Sequence, residues 1–209
     1  SDQAAKNLRS YVEGGGKLLL TARSGVKGET NAVVNMPLPG LLAEISGTEV
    51  QDYDVLPTGI DVTVALDLPG SLGSRSKACS RLWVDVLRPT TAEIVARYED
   101  EYYCGKTAAT LNTYGEGQVL YVGTLGGAAL QDAMVEWLLD AAGITPTLVT
   151  PQGVEAVERW KDDDPFLFLL NHTPRRQEVR LPQAMIDLLT EEQVEDTACL
   201  GPRGVMILR

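Results

Sequence analysis

Cys104, in Tyr102-Tyr103-Cys104-Gly105-Lys106, is the residue whose type first suggests chemistry. A cysteine nucleophile needs a base within reach, a strained turn that exposes its sulfur, and oxyanion donors beside it. Lys106 stands close enough to lower a thiol pKa, but no nucleophile elbow surrounds the cysteine, so Cys104 reads as a buried or half-buried thiol packed at a strand end. Cys79 and Cys199 offer less. His172 is the only histidine and lies in Asn171-His172-Thr173-Pro174. With no Cys or carboxylate at ligand spacing it cannot build a zinc site, and its expected role is hydrogen bonding to a turn.

Carboxylates are abundant: the pair Asp52 and Asp54, the run Glu99-Asp100-Glu101, and the run Asp162-Asp163-Asp164. A glycosidase pair must stand roughly 5–9 Å apart across a sugar, a distance that spacing along the chain does not fix. The acidic runs read as solvated loops. Asp162-Asp163-Asp164 reads as a hairpin tip, since an EF-hand loop would need six regularly spaced ligand positions, a glycine and a closing glutamate. Gly14-Gly15-Gly16 precedes its strand, the wrong order for a phosphate cradle, and Gly123-Thr124-Leu125-Gly126-Gly127 lacks the lysine that would reach a phosphate. The second cluster does follow a strand and open a helix, where weak anion binding is the functional alternative to a plain turn. No catalytic, cofactor-binding or metal-ligating residue is therefore assigned, and no cofactor is called for.

The elements that would hold these residues begin with a helix capped by Asp2, with Ala5, Leu8 and Val12 on one stripe, stopped by the glycine run. The strand Lys17 to Ala22 follows. Its Leu18-Leu19-Leu20 centre has the character of a strand buried on both faces of a parallel sheet and flanked on both sides, so helix and strand read as the second half of a β-α-β unit whose first strand precedes Ser1. The loop Arg23 to Pro39 leaves the carboxyl end of that strand, where open α/β sheets place their sites. A short helix is expected over Gly40 to Ile45, extended segments from Val50 with Ile60 to Leu66 the clearest, and a Gly/Ser-rich link over Leu68 to Ser80. Strands are expected at Trp83 to Leu87 and Glu93 to Tyr98. A hairpin of Ala108 to Asn112 and Val119 to Val122 should turn at Tyr114-Gly115-Glu116-Gly117, with Gly115 and Gly117 supplying unusual dihedrals. Ala129 to Ala142 is the best helix. After Pro146 the pattern becomes short strands, Val154 to Trp160, Phe166 to Asn171, Glu178 to Leu181 and Val205 to Arg209, with a helical turn near Gln183 to Leu189. The expected division is 1–146 and 147–209.

The chain has 209 residues, 44% of them hydrophobic and 22% charged, an ordinary globular composition. A net charge of −11 with scattered Lys and Arg speaks against a nucleic-acid backbone or an anionic membrane as partner. No run reaches the roughly twenty apolar residues of a membrane span, and Ser1 to Lys6 shows neither a basic n-region nor an apolar h-region. Three widely spaced cysteines suggest reduced thiols and a cytoplasmic setting.

Read in order, Leu8-Arg9-Ser10-Tyr11-Val12-Glu13-Gly14-Gly15-Gly16, Thr21-Ala22-Arg23-Ser24-Gly25 with Glu29-Thr30-Asn31, Pro39-Gly40-Leu41-Leu42, Ala96-Arg97-Tyr98, Tyr103-Cys104-Gly105-Lys106, Gly115-Glu116-Gly117 and Tyr121-Val122-Gly123-Thr124 resemble the middle domain of the glycoside hydrolase family 42 β-galactosidases. Pro151-Gln152-Gly153-Val154-Glu155 with Arg159, Leu169-Leu170-Asn171-His172, Asp187-Leu188-Leu189 and Leu200-Gly201-Pro202-Arg203-Gly204-Val205 resemble that family's small C-terminal domain. The resemblance implies an α/β fold: a flavodoxin-like, class I glutamine amidotransferase-like domain, N-terminally truncated, followed by a small antiparallel β domain. It implies a longer parent in which an N-terminal (β/α)8 barrel carries both catalytic glutamates and hydrolyses terminal β-galactosides with retention. This chain would be the assembly portion. Its implied partners are its own catalytic barrel, further copies of itself in a trimer, and a galactoside touched through the Arg23 to Asn35 loop. The amidotransferase likeness is of fold only, and Cys104 stands where the family tends to have a small residue such as alanine. Two rivals are a stand-alone amidotransferase using Cys104 and His172, which fall in different domains, and a sugar-binding module, which would need exposed aromatics where Trp83, Trp137 and Trp160 have core-compatible neighbours.

Overall fold

A computed structural model describes residues 1–69 and 76–209. The chain divides into two compact units, Ser1–Ile144 and Thr145–Arg209.

In the first unit, helix α1 (Asp2–Glu13) is capped by the Ser1 hydroxyl, which accepts from the Ala4 N–H at 3.3 Å; the cap is thus one residue earlier than Asp2. Strand β1 is Lys17–Thr21, and a 3-10 turn at Gly40–Leu42 runs into the short helix α2 (Ala43–Ser46). There follow β2 (Thr48–Val55), β3 (Val62–Leu66), β4 (Ser76–Pro89), β5 (Glu93–Tyr98), β6 (Thr107–Tyr114), β7 (Gly117–Val122), β8 (Thr124–Gly126) and helix α3 (Ala128–Ala141). The Gly/Ser-rich stretch is therefore not a link throughout: Ser76 to Ser80 already pair with β3, and residues 70–75 lie outside the described residues.

The eight strands form one mixed sheet in the order β1-β7-β6-β5-β3-β4-β2, with β8 beside β4. Among the described residues only β1 and β7 run parallel, with Lys17 opposite Gln118 and Thr21 opposite Val122. The other strands are joined through antiparallel pairs, which tight turns can connect where a parallel pair needs a long crossover. Among the described residues β1 pairs with β7 alone and stands at the end of the strand order. Its faces are nevertheless both apolar. Leu20, Val119 and Tyr121 pack with Val12 of α1 and Ile45 of α2, while Leu19, Leu120 and Val122 join the core made with Leu130, Met134 and Trp137 of α3. Alternation along β7 thus feeds two cores, one per face. The sheet also curls, because β4 reaches β6 through Leu87 opposite Thr107.

The β6–β7 hairpin turns at Gly115-Glu116, and Gly115 takes φ 59°. Gly117 does not adopt a left-handed angle, contrary to the expectation. It is needed for a different reason: a Cβ there would sit 2.0 Å from the Val12 carbonyl oxygen and 2.4 Å from that of Gly16. The glycine lets the end of α1 lie directly on the hairpin.

The second unit comprises β9 (Val154–Lys161), β10 (Asp164–Asn171), β11 (Gln177–Arg180), β12 (Met185–Asp187), β13 (Glu192–Val194), β14 (Thr197–Leu200) and β15 (Val205–Leu208). A five-stranded sheet, β13-β12-β15-β10-β9, packs Leu167, Leu169 and Leu208 against Val179, Leu181, Ala198 and Leu200 on and beside the β11–β14 pair. The helical turn expected near Gln183 to Leu189 is instead β12 and a tight turn. Buried Asp187 fastens that turn, accepting from the Leu189 N–H at 3.1 Å and the Thr190 hydroxyl at 3.2 Å, which gives the backbone a local alternative to helix.

Candidate functional site

An aspartate inside the apolar run Trp83-Val84-Asp85-Val86-Leu87 calls for explanation, since a buried carboxylate must find donors. Asp85 is 3% exposed. The Trp83 indole N–H donates to its Oδ1 at 2.7 Å, and the Tyr121 hydroxyl to its Oδ2 at 3.3 Å. The Arg23 backbone N–H also bears on it. Burial nevertheless wins, holding the carboxyl above the usual carboxylate range against the lowering effect of these donors. The same burial, reinforced by the Asp85 charge, pushes the Tyr121 hydroxyl far above its ordinary value. Tyr98 completes the support by donating its hydroxyl to the Asp85 carbonyl at 2.9 Å.

This clamp fixes an aromatic surface. The β2–β4 register sets Tyr53 opposite Asp85 and Val55 opposite Trp83, so all four share one face. Tyr53 stacks on Trp83 with ring centroids 5.1 Å apart and planes 7° from parallel. The Arg23 guanidinium lies 4.3 Å from the Trp83 ring centroid. Arg23 follows the carboxyl end of β1 and takes φ 69°, a left-handed angle that costs a non-glycine residue about 1–2 kcal/mol. Tyr53 and Val55 are each 58% exposed. Trp83 is thus half-buried and covered by both the Tyr53 ring and the Arg23 guanidinium, and Tyr53 is the ring of the pair that the arrangement leaves exposed. Asp85 itself, enclosed by its donors, is a positioning residue.

The loop that leaves β1 is ordered by its own bonds. Lys27 bridges Val33, the Gly28 N–H donates to Ala32 at 2.9 Å and the Val34 N–H to Val26 at 3.0 Å. A Cβ on Gly25 would meet the Pro39 carbonyl oxygen at 2.0 Å, so the base of the loop is pinned to the segment before α2.

The residues singled out by type serve local structure. Cys104 is exposed in the turn after β5, not buried at a strand end, and its thiol donates to the Glu99 carbonyl at 3.0 Å. Cys79 and Cys199 are exposed as well. Cys104→Ser should therefore change stability by no more than about 0.5 kcal/mol, read by urea titration, and a thiol reagent should titrate all three cysteines of the folded chain rather than one. His172 sets Nε2 2.9 Å from Glu155 Oε2, both half-exposed. It belongs to the second unit and Cys104 to the first. Asp52 and Asp54 each accept from the following backbone N–H, at 2.9 and 2.8 Å. Asp100 accepts from the Thr63 N–H at 2.7 Å, and hydrogen bonding to Thr63 lowers its pKa. Glu99 pairs with Lys77 at 2.6 Å. Thr124 to Gly126 form β8, so that glycine cluster is sheet rather than phosphate loop. Among the described residues no three His, Cys, Asp or Glu side chains stand together to hold a metal, and no helix is long and apolar enough to cross a membrane.

The aromatic surface was missed in the sequence, although Asp85 amid apolar strand residues was its signal. The three tryptophans also divide: Trp137 is buried, while Trp160 is 64% exposed, against expectation.

Residues 1–145 match the family described as "Beta-galactosidase trimerisation domain", and residues 153–209 that described as "Beta-galactosidase C-terminal domain". The chain is 33% identical over 206 residues to a β-galactosidase of Planococcus sp. (strain L4), with 98% of this chain and 30% of the relative covered. It is 34% identical over 208 residues to one of Haloferax lucentense, again with 98% and 30% covered. The crystal structure of a β-galactosidase from Bacillus circulans sp. alkalophilus superposes with a TM-score of 0.90 at 31% identity, over 98% of this chain and 30% of that one. The chain thus spans about three tenths of the length of the relatives it matches.

Proposed function

Since the chain belongs to the glycoside hydrolase family 42 β-galactosidases, carrying their trimerisation domain and C-terminal domain, we propose that it is the assembly portion of a longer enzyme that hydrolyses terminal β-D-galactosides with retention. The observation that carries this reading is the match of residues 1–145 to a domain described by its part in trimerisation. In this reading the two carboxylates that retention requires belong to a catalytic barrel upstream in the same polypeptide, and the first unit is an amidotransferase-like scaffold kept for its fold. The edge of β1 receives a parallel strand from that upstream segment, completing the β-α-β unit, with helices on both faces as such sheets require. The enzyme is cytoplasmic.

The Arg23–Trp83–Tyr53 surface and the Arg23 to Asn35 loop are the parts of this chain best suited to touch a galactoside at the rim of a neighbouring subunit's site. Their support is physical: an exposed Tyr53 stacked on a half-buried Trp83 that a buried clamp holds binds at little cost in side-chain entropy. The test is turnover of a chromogenic β-galactoside. The 209-residue chain should show none, while the longer protein should be active and have the mass of a trimer by light scattering. Turnover that follows the short chain's peak through repurification would overturn the assignment.

A further inference from the structure

An antiparallel sheet with one face in a core usually turns a polar face to water. The five-stranded sheet of the second unit does not. Its inner face carries Leu167, Leu169 and Leu208. On the outer face, register aligns Val157 with Phe168 and Ile207, and the Leu188 N–H donates to the Ile207 carbonyl, so one apolar row crosses β9, β10, β15 and the end of β12. Leu170 beside Val205 forms the next row, closed by Glu155 on β9, while on the other side Phe166 and Ile186 alternate with Arg159 and Arg209. Val205 is 46% exposed and Ile186 51%. A shallow groove of about 300 Å³ is lined by Glu155, Val157, Arg159, Phe168 and Leu170. Single exposed apolar residues need no explanation, but two adjoining apolar rows bordered by a mixed one mark an interaction surface.

The border of this face is polar and self-paired: Glu155 with His172 at 2.9 Å, and Asp164 with Arg209 at 2.8 Å. An apolar centre with a rim of both signs is the anatomy of a protein interface, not of a nucleic-acid or lipid surface. We propose that this face is the seat of the upstream portion of the same polypeptide, which docks on the sheet and anchors the C-terminal unit. The inference rests on the reading of the chain as part of a longer β-galactosidase. The chain accounts for 30% of its relatives, and its last residues match a region described as C-terminal, so the larger share of such a protein lies upstream and is available as occupant. A second copy is the weaker candidate, because trimerisation is ascribed to residues 1–145, in the other unit. A unit this small also gains most from leaning on a neighbour.

The test uses the full-length protein. A photoreactive p-benzoyl-phenylalanine placed at position 186 should crosslink to the upstream portion within one polypeptide, as mixed isotope-labelled subunits will report. The double variant Ile186→Lys with Val205→Lys, at positions exposed enough to tolerate charge, should speed thermolysin cleavage next to Leu148 and Val149 about tenfold while trimer mass is kept. Crosslinks that join two copies, or no crosslink together with unchanged cleavage, would overturn the proposal. Activity is scored separately: a full-length protein without β-galactosidase turnover sinks the functional reading, while the crosslinks still report what covers the sheet.

Discussion

Asp85→Ala is expected to destabilise the first unit by about 3 kcal/mol at neutral pH, measured by urea unfolding followed through tryptophan fluorescence. The removal leaves the Trp83 indole N–H and the Tyr121 hydroxyl without their acceptor, and each buried donor left unpaired costs about 1–3 kcal/mol. Loss of an unfavourably buried charge offsets part of that sum. Asp85→Asn should restore little, because its amide nitrogen would face donors where the carboxylate had acceptors. The pH dependence has a definite sign. The folded-state pKa of Asp85 lies above the ordinary 3.8, so as pH rises from 3.8 through the folded value the unfolded state releases a proton that the folded state still holds. Stability due to this residue is greatest below that window and falls across it. The deficit of Asp85→Asn relative to the unsubstituted chain should therefore be larger at the acid end of the window than at pH 7. A deficit that does not change between those pH values would show that the carboxyl is not raised.

Gly117→Ala should be at least as damaging, about 3–5 kcal/mol, because the added methyl meets two backbone carbonyl oxygens that no rotamer change can move. The strain would fall on the junction of α1 with β1 and β7, so hydrogen exchange should rise first in Leu18 to Leu20. Gly201→Ala is the control. Nothing lies within 4 Å of a Cβ there and its φ is not left-handed, so the change should stay within about 0.5 kcal/mol. Equal costs for the two substitutions would mean that the hairpin does not press on the helix.

How far the fold was legible depended on how local its causes were. Alternation and glycine placement marked β5, the β6–β7 hairpin and β10, and the stripe of Leu130, Met134 and Trp137 marked α3. Strand β4 was read only in part, since its first residues, Ser76 to Ser80, belong to the glycine- and serine-rich stretch from Leu68 that sequence alone assigns to a link. The short strands β12, β13 and β14 escaped because three or four residues carry too little pattern, and pairing decides them. Gly117 was noticed for the wrong reason: a glycine's dihedral freedom is a local property, whereas the approach of Val12 comes from more than a hundred positions away. The aromatic surface was hidden likewise, because Arg23, Tyr53 and Trp83 meet only through sheet register. Cys104 and Trp160 were misplaced for a simpler cause: residue type predicts average burial, and these two sit in a turn and near a hairpin tip.

The pairing of β1 with β7 joins residues about a hundred apart, Lys17 with Gln118, and among the described residues it is the one parallel contact in the sheet. During synthesis at about 5–20 residues per second, β1 therefore emerges several seconds before the strand that receives it. In that interval its three leucines have α1, the Gly40–Leu42 turn and α2 as nearby cover, while the β3–β4 and β5–β6–β7 hairpins can close as soon as they appear. The expected order of assembly is that the antiparallel meander forms first and β1 with its helix docks after it, which pulse-labelled hydrogen exchange would show as later protection in Leu18 to Leu20 than in β6.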